Sequence, residues 1–141
     1  SSAARYATGD TSGSASEVEA HTIIASTNAS SGYVITVNGA TLTSGGNTIT
    51  AIGSSNTTSS VGSEQFGLRM SASGGNGVVS TPYAASGFAF DTAAFPDQVA
   101  SDADGDDVTT TYSVRYLGNI FATTEAGSYS ATLTYVITAG F

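Results

Sequence analysis

The sequence predicts an all-β protein: an antiparallel β-sandwich, immunoglobulin-like or jelly-roll-like, of about eight or nine strands with no substantial helix. Three observations lead there. Apolar residues recur with a period of two rather than 3.6. Turn residues (Gly, Asn, Ser) punctuate the chain about every ten positions. Uneven strand lengths and one long connection favour a sandwich over a barrel.

Taken in order, residues 1–16 are small and polar and read as a flexible tail or part of a donor segment, leaving 17–141 as a single domain. EVEAHTIIAST (17–27) reads as a strand with Val18, Ala20, Thr22 and Ile24 on one face. GYVITVNGATLTSG reads as a hairpin turning at Asn38-Gly39, a pair suited to a type I′ turn. NTITAI (47–52) is another short strand, and 53–63 a polar loop. EQFGLRMSA sets Phe66, Leu68 and Met70 on one face. Pro82 demotes the GVVSTPY stretch to an edge strand or loop, and SGFAF follows. FPDQVASDADGDD reads as a long acidic connection. DVTTTYSVRY alternates cleanly, with Val108, Thr110, Tyr112, Val114 and Tyr116 on one side. The last strand alternates from Ser128 to Thr138, with Tyr129, Ala131, Leu133, Tyr135 and Ile137 expected to close the core. Tyr33, Phe66, Tyr112, Tyr116, Tyr129 and Tyr135 are the core candidates.

Composition excludes several function classes. The chain of 141 residues has no Lys, three Arg and eleven acids, for a net charge of −8. It lacks the clustered cations that nucleic acid binding requires to neutralise the phosphate backbone, so nucleic acid is not an expected partner, and an anionic membrane surface would repel it. No apolar run is long enough to span a bilayer. With no Cys there is neither a disulfide nor a thiolate site. Charged residues are 10% of the chain, where about 25% is usual. Ser, Thr, Asn and Gly supply the polarity, a composition that favours a secreted, cell-surface protein. The only Met is Met70, so Ser1 is read as following signal-peptide cleavage or an arbitrary boundary.

Three stretches carry a resemblance: TNASSGYVITVNGATLTSGGNTI (27–49), EQFGLRM (64–70) and VTTTYSVRYLGNIFATTEAGSYSATLTYVITAGF (108–141). Together they resemble uncharacterised exported β-sandwich surface proteins of reduced-genome bacteria. More distantly, AGSYSATLTYVIT is similar to the final strands of fimbrial and spore-coat subunits. That resemblance implies an extracellular structural protein, and many such subunits polymerise by donating a strand to a neighbour.

Candidate chemistry is sparse. His21 is the sole histidine, with no nucleophile elbow in the chain, and reads as an outward-facing strand residue, so no enzyme is expected. Asp102, Asp104 and Asp106 have the 1-3-5 spacing of a calcium loop, with the Val108 carbonyl at position 7. Asp107 stands where such loops carry Gly, and Ser113 where they carry a bidentate carboxylate. Ca²⁺ is the one cofactor the spacing suggests; the bland alternative is a solvated acidic turn. Asn28 and Asn56 each begin an Asn-x-Ser/Thr glycosylation triplet.

Long strands without Lys and with two Pro leave the sheet edges poorly guarded. The expectation is a structural subunit that self-assembles with copies of itself into a filament or surface layer. Strand donation by Val18, Ala20, Thr22 and Ile24 would join neighbours. The competing expectation is a monomeric adhesin or carbohydrate-binding module that engages cell-surface glycans through Tyr83, Phe88, Phe90 and Phe95. Burial of those four rings would weigh against it.

Overall fold

The computed structural model of the protein describes residues 4–10 and 12–141. No helix occurs among them. Thirteen strands are present: β1 (Arg5–Ala7), β2 (Gly13–Ser14), β3 (His21–Ala25), β4 (Tyr33–Gly39), β5 (Thr43–Ser44), β6 (Asn47–Thr48), β7 (Gly53–Thr57), β8 (Gln65–Gly74), β9 (Val78–Val79), β10 (Phe88–Phe90), β11 (Asp97–Asp102), β12 (Thr110–Asn119) and β13 (Leu133–Ala139). They form an all-β, sandwich-like fold of antiparallel sheets.

The larger sheet has seven strands in the order β2-β1-β12-β8-β10-β7, with β3 also beside β12. The smaller runs β13-β4-β11-β9, and β5 and β6 form a hairpin of their own. The spine of the larger sheet is the ladder between β8 and β12, paired residue for residue from Gln65↔Asn119 to Gly74↔Thr110. Both sequences alternate, and pairing puts their apolar sets on one face. Phe66, Leu68 and Met70 of β8 and Tyr112 and Val114 of β12 are buried against Tyr33, Ile35 and Val37 of β4 and Val99 of β11. Each large side chain so buried contributes about 1.5–3 kcal/mol. Phe90 ties the middle together, edge-on to Phe66 at 4.7 Å and to Phe95 at 4.9 Å.

The outer edge of β12 is covered by one strand cut in two. Arg5 and Tyr6 pair with Gly118 and Leu117, and His21 to Ala25 pair with Val114 to Thr110. Continuing the β1 register would place Gly9 opposite Val114, but His21 stands there, so twelve residues leave the edge and return. Within this excursion β2 folds back on β1. The described part of the segment expected to be a tail is therefore built into the sheet; residues 1–3 and 11 lie outside the described residues.

Four further expectations are corrected. Asn38-Gly39 is not a turn: both residues extend β4 and pair with Thr134 and Leu133. Gly39 is needed for close approach, since a Cβ there would lie 2.6 Å from the Thr132 carbonyl oxygen. The local hairpin closes instead at Gly45, where φ is +60°. The acidic connection contains β11, an interior strand between β4 and β9. The polar stretch 53–63 contains β7, held by β10. The final strand starts at Leu133 rather than Ser128 and lies at a sheet edge, with Ile137 47% exposed rather than enclosed.

Candidate functional site

β13 is an edge strand of the smaller sheet. β13 pairs with β4 along seven residues, and among the described residues its other side meets no strand. From Ala126 to Phe141 there is no Asp, Glu, Lys, Arg or Pro, so neither charge nor proline guards the edge. Val136 and Ile137 are about half exposed, and Ile24 on nearby β3 is 63% exposed.

Between β13 and the β1/β3 edge of the other sheet lies a groove of about 640 Å³. Leu42, Phe66, Tyr129 and Leu133 give it apolar walls, with His21 and Asp10 among its lining. His21 Nε2 lies 2.9 Å from the Tyr116 hydroxyl, which in turn lies 2.6 Å from the Tyr135 hydroxyl. This chain of polar contacts links the two sheets across the groove. His21 thus faces the groove, although an outward-facing strand position was expected. Burial lowers its pKa below the ordinary value, against smaller opposing effects of a Thr22 backbone hydrogen bond and the Glu19 carboxylate. Burial likewise pushes the Tyr116 hydroxyl up to about 12 and raises that of Tyr135 further. All three groups are neutral at pH 7. The trio forms a polar clasp between the two sheets.

No protein-family model, curated protein or solved structure matches this chain.

The carboxylates of Asp102 and Asp106 take separate hydrogen-bond partners. Asp102 is buried at the end of β11 and its Oδ1 accepts from the Asp104 backbone N–H at 3.1 Å. Asp106 accepts from the Val108 backbone N–H at 2.9 Å and from the Asn76 side-chain amide. Each of these two carboxylates closes its own turn, as Asp side chains commonly do. Among the described residues no group of three or more His, Asp or Glu is arranged to hold a metal ion.

The segment expected to donate a strand pairs with β12 of its own chain. Its faces are the reverse of those expected. Ile23 and Ala25 pack into the core, while Thr22 and Ile24 face outward, and Val18 and Ala20 precede the strand. The period-two pattern there is ambiguous because His21, Ile23 and Ala25 alternate as well as Thr22 and Ile24 do.

Asn28 is exposed on the turn after β3. Asn56 is a clamp. Its amide donates to the Pro82 and Ala84 carbonyls at 2.8 and 2.7 Å and accepts from the Gly87 N–H at 3.0 Å. Tyr83, Phe88 and Phe90 are buried and Phe95 packs against the core, so these rings form no exposed platform. Sequence reasoning missed β13 as an edge. Its alternation and lack of charge were visible, but which neighbours it lacks depends on long-range topology.

Proposed function

We propose that the chain is a non-enzymatic structural subunit of the cell exterior that assembles with copies of itself through its sheet edges. The observation that carries this reading is the unpaired, uncharged β13 edge. Two copies of β13 laid antiparallel about Val136 would continue one four-stranded sheet into the other, each supplying the backbone donors and acceptors the other lacks. Net charge favours this contact over others. Copies carrying −8 repel, and that repulsion fades beyond about 8–10 Å at moderate salt, so an uncharged contact strip keeps carboxylates apart.

A β13–β13 contact is isologous and closes on itself, so a filament needs a second, different contact. The edge position of the N-terminal segment favours its exchange: β1 to β3 of one copy pairing with β12 of the next would make the same ladder, with residues 26–32 as tether. The burial of Tyr83, Phe88 and Phe90 weighs against the alternative of a glycan-binding module built on those rings.

Two experiments test the reading. Negative-stain electron microscopy and light scattering are compared for the protein and for Val136→Lys/Thr138→Lys. Assembly that is lost with the two lysines supports edge pairing; monomers at every concentration overturn it. Cysteines at Ile24 and Thr111, directly paired in the fold, form a disulfide within one chain if β3 stays home and between chains if it is exchanged.

A further inference from the structure

Two of the chain's three arginines stand side by side. Arg69 of β8 is directly opposite Arg115 of β12. Like charges in directly opposed positions destabilise a sheet. In this chain both are answered by one carboxylate, Glu17 from the excursion, which pairs with Arg69 and lies 3.2 Å from Arg115 Nε. One anion for two cations leaves a local excess of positive charge on a protein whose net charge is −8.

The pair is held in place. Arg69 donates to the Ala85 carbonyl at 3.3 Å and its guanidinium lies 5.4 Å from the centre of the Phe88 ring. Arg115 donates to Ser71 Oγ at 3.0 Å. Partial burial, and then the neighbouring Arg115 charge, lower the pKa of Arg69 from its ordinary value. The other N–H donors of the two guanidiniums have no protein partner among the described residues. Both side chains line a groove of about 540 Å³, together with Ser71, Val78, Ala84 and Ala85. It is bordered by the part of β8 beyond its contact with β10.

We propose that this groove binds a compact oxyanion, as carried by an acidic sugar or a phosphate group, and that Glu17 is an internal competitor for the two arginines which the ligand displaces. Planar guanidinium forks suit two-point recognition of carboxylate and phosphate oxygens. The small and apolar remainder of the lining leaves room for the body of the molecule. This site lies apart from the β13 edge and stands whether or not the chain assembles.

The test follows the arginine Nε–Hε resonances by NMR while sodium glucuronate, inorganic phosphate or, at matched ionic strength, sodium chloride is added. Saturable shifts at Arg69 and Arg115 but not at Arg5, with glucuronate or phosphate and not with chloride, support the site, and the better probe identifies the class. Glu17→Gln is expected to tighten binding about fivefold by removing the competitor, and Arg115→Gln to abolish it. Shifts that follow ionic strength or appear equally at Arg5 overturn the proposal. So does unchanged affinity in a folded Glu17→Gln variant. The titration of the unaltered protein stands even if a variant fails to fold.

Discussion

The hydroxyls of Tyr33 and Tyr112 meet 2.9 Å apart, joining β4 of the smaller sheet to β12 of the larger in a buried region that also holds Thr110 and Asp102. The rings stand at 90° with centroids 6.5 Å apart. Each hydroxyl is the other's partner, so removing one leaves the other unsatisfied. Tyr112→Phe is expected to cost about 1–3 kcal/mol. Adding Tyr33→Phe should cost less than its effect alone, because the orphaned hydroxyl leaves with it. Urea unfolding of the two single variants and the double variant checks this.

The clasp beside the groove makes stability depend on pH. His21 has its pKa lowered in the fold, chiefly by burial, so the unfolded chain binds that proton more readily. Its contribution is complete above the ordinary value of 6.5 and is lost as pH falls through the lower folded value. The thermal midpoint should therefore rise with pH across this window. His21→Gln should flatten the rise when both proteins are scanned between about pH 5 and 7.5.

Asn56 ties β7 to the chain on either side of Ala85, whose φ is +74°. Asn56→Ala should lower stability by about 1–3 kcal/mol, since three backbone groups lose their partner. Asn56→Asp keeps the acceptor and loses both donors, so it should not restore stability. A glycan on this nitrogen would replace a hydrogen that donates to a carbonyl. Mass spectrometry of protein made in a glycosylating host should find Asn56 unmodified in the folded fraction.

Gly39 lets β13 lie close against the end of β4. A side chain there would press on the Thr132 carbonyl and the Leu133 side chain. Gly39→Ala should loosen β13 first, costing about 1–3 kcal/mol, the usual range for overpacking. Hydrogen exchange should report lost amide protection in residues 133–139, with β8 and β12 less affected.

Legibility in the sequence followed how far each strand depends on its own side chains. β8 and β12 announce themselves because each buries an apolar face; Phe66, Leu68, Met70, Thr110, Tyr112 and Val114 were read on the buried side, whereas Val108, read with them, precedes β12 and is exposed. β11 was hidden by the acids at its ends. Asp97 accepts a hydrogen bond from the Tyr83 hydroxyl at 2.7 Å and Asp102 closes a turn, so neither marks a solvent loop. An irregularity between Gln98 and Ala100 also breaks the alternation. β7 has no apolar side chain at all and exists because β10 pairs with it and Asn56 anchors it. Asn38-Gly39 has turn chemistry, but the seat Gly39 provides for β13 won over the local preference. Of the candidate sites, the absence of charge after Glu125 was plain, whereas the pairing of Arg69 with Arg115 required the register of two strands 46 residues apart.

The cut in the edge strand makes the fold tolerant at one place. Both stems of the excursion are fixed by β12, so the distance its ends must span does not depend on what lies between them. Closing a longer loop costs little, about 0.6 kcal/mol per doubling of length. New sequence could enter near Ser16, after β2, without shifting any register in the sandwich. The molecule is thus a ready carrier: a foreign peptide placed there would be displayed on the face that also holds Glu17, one copy per chain.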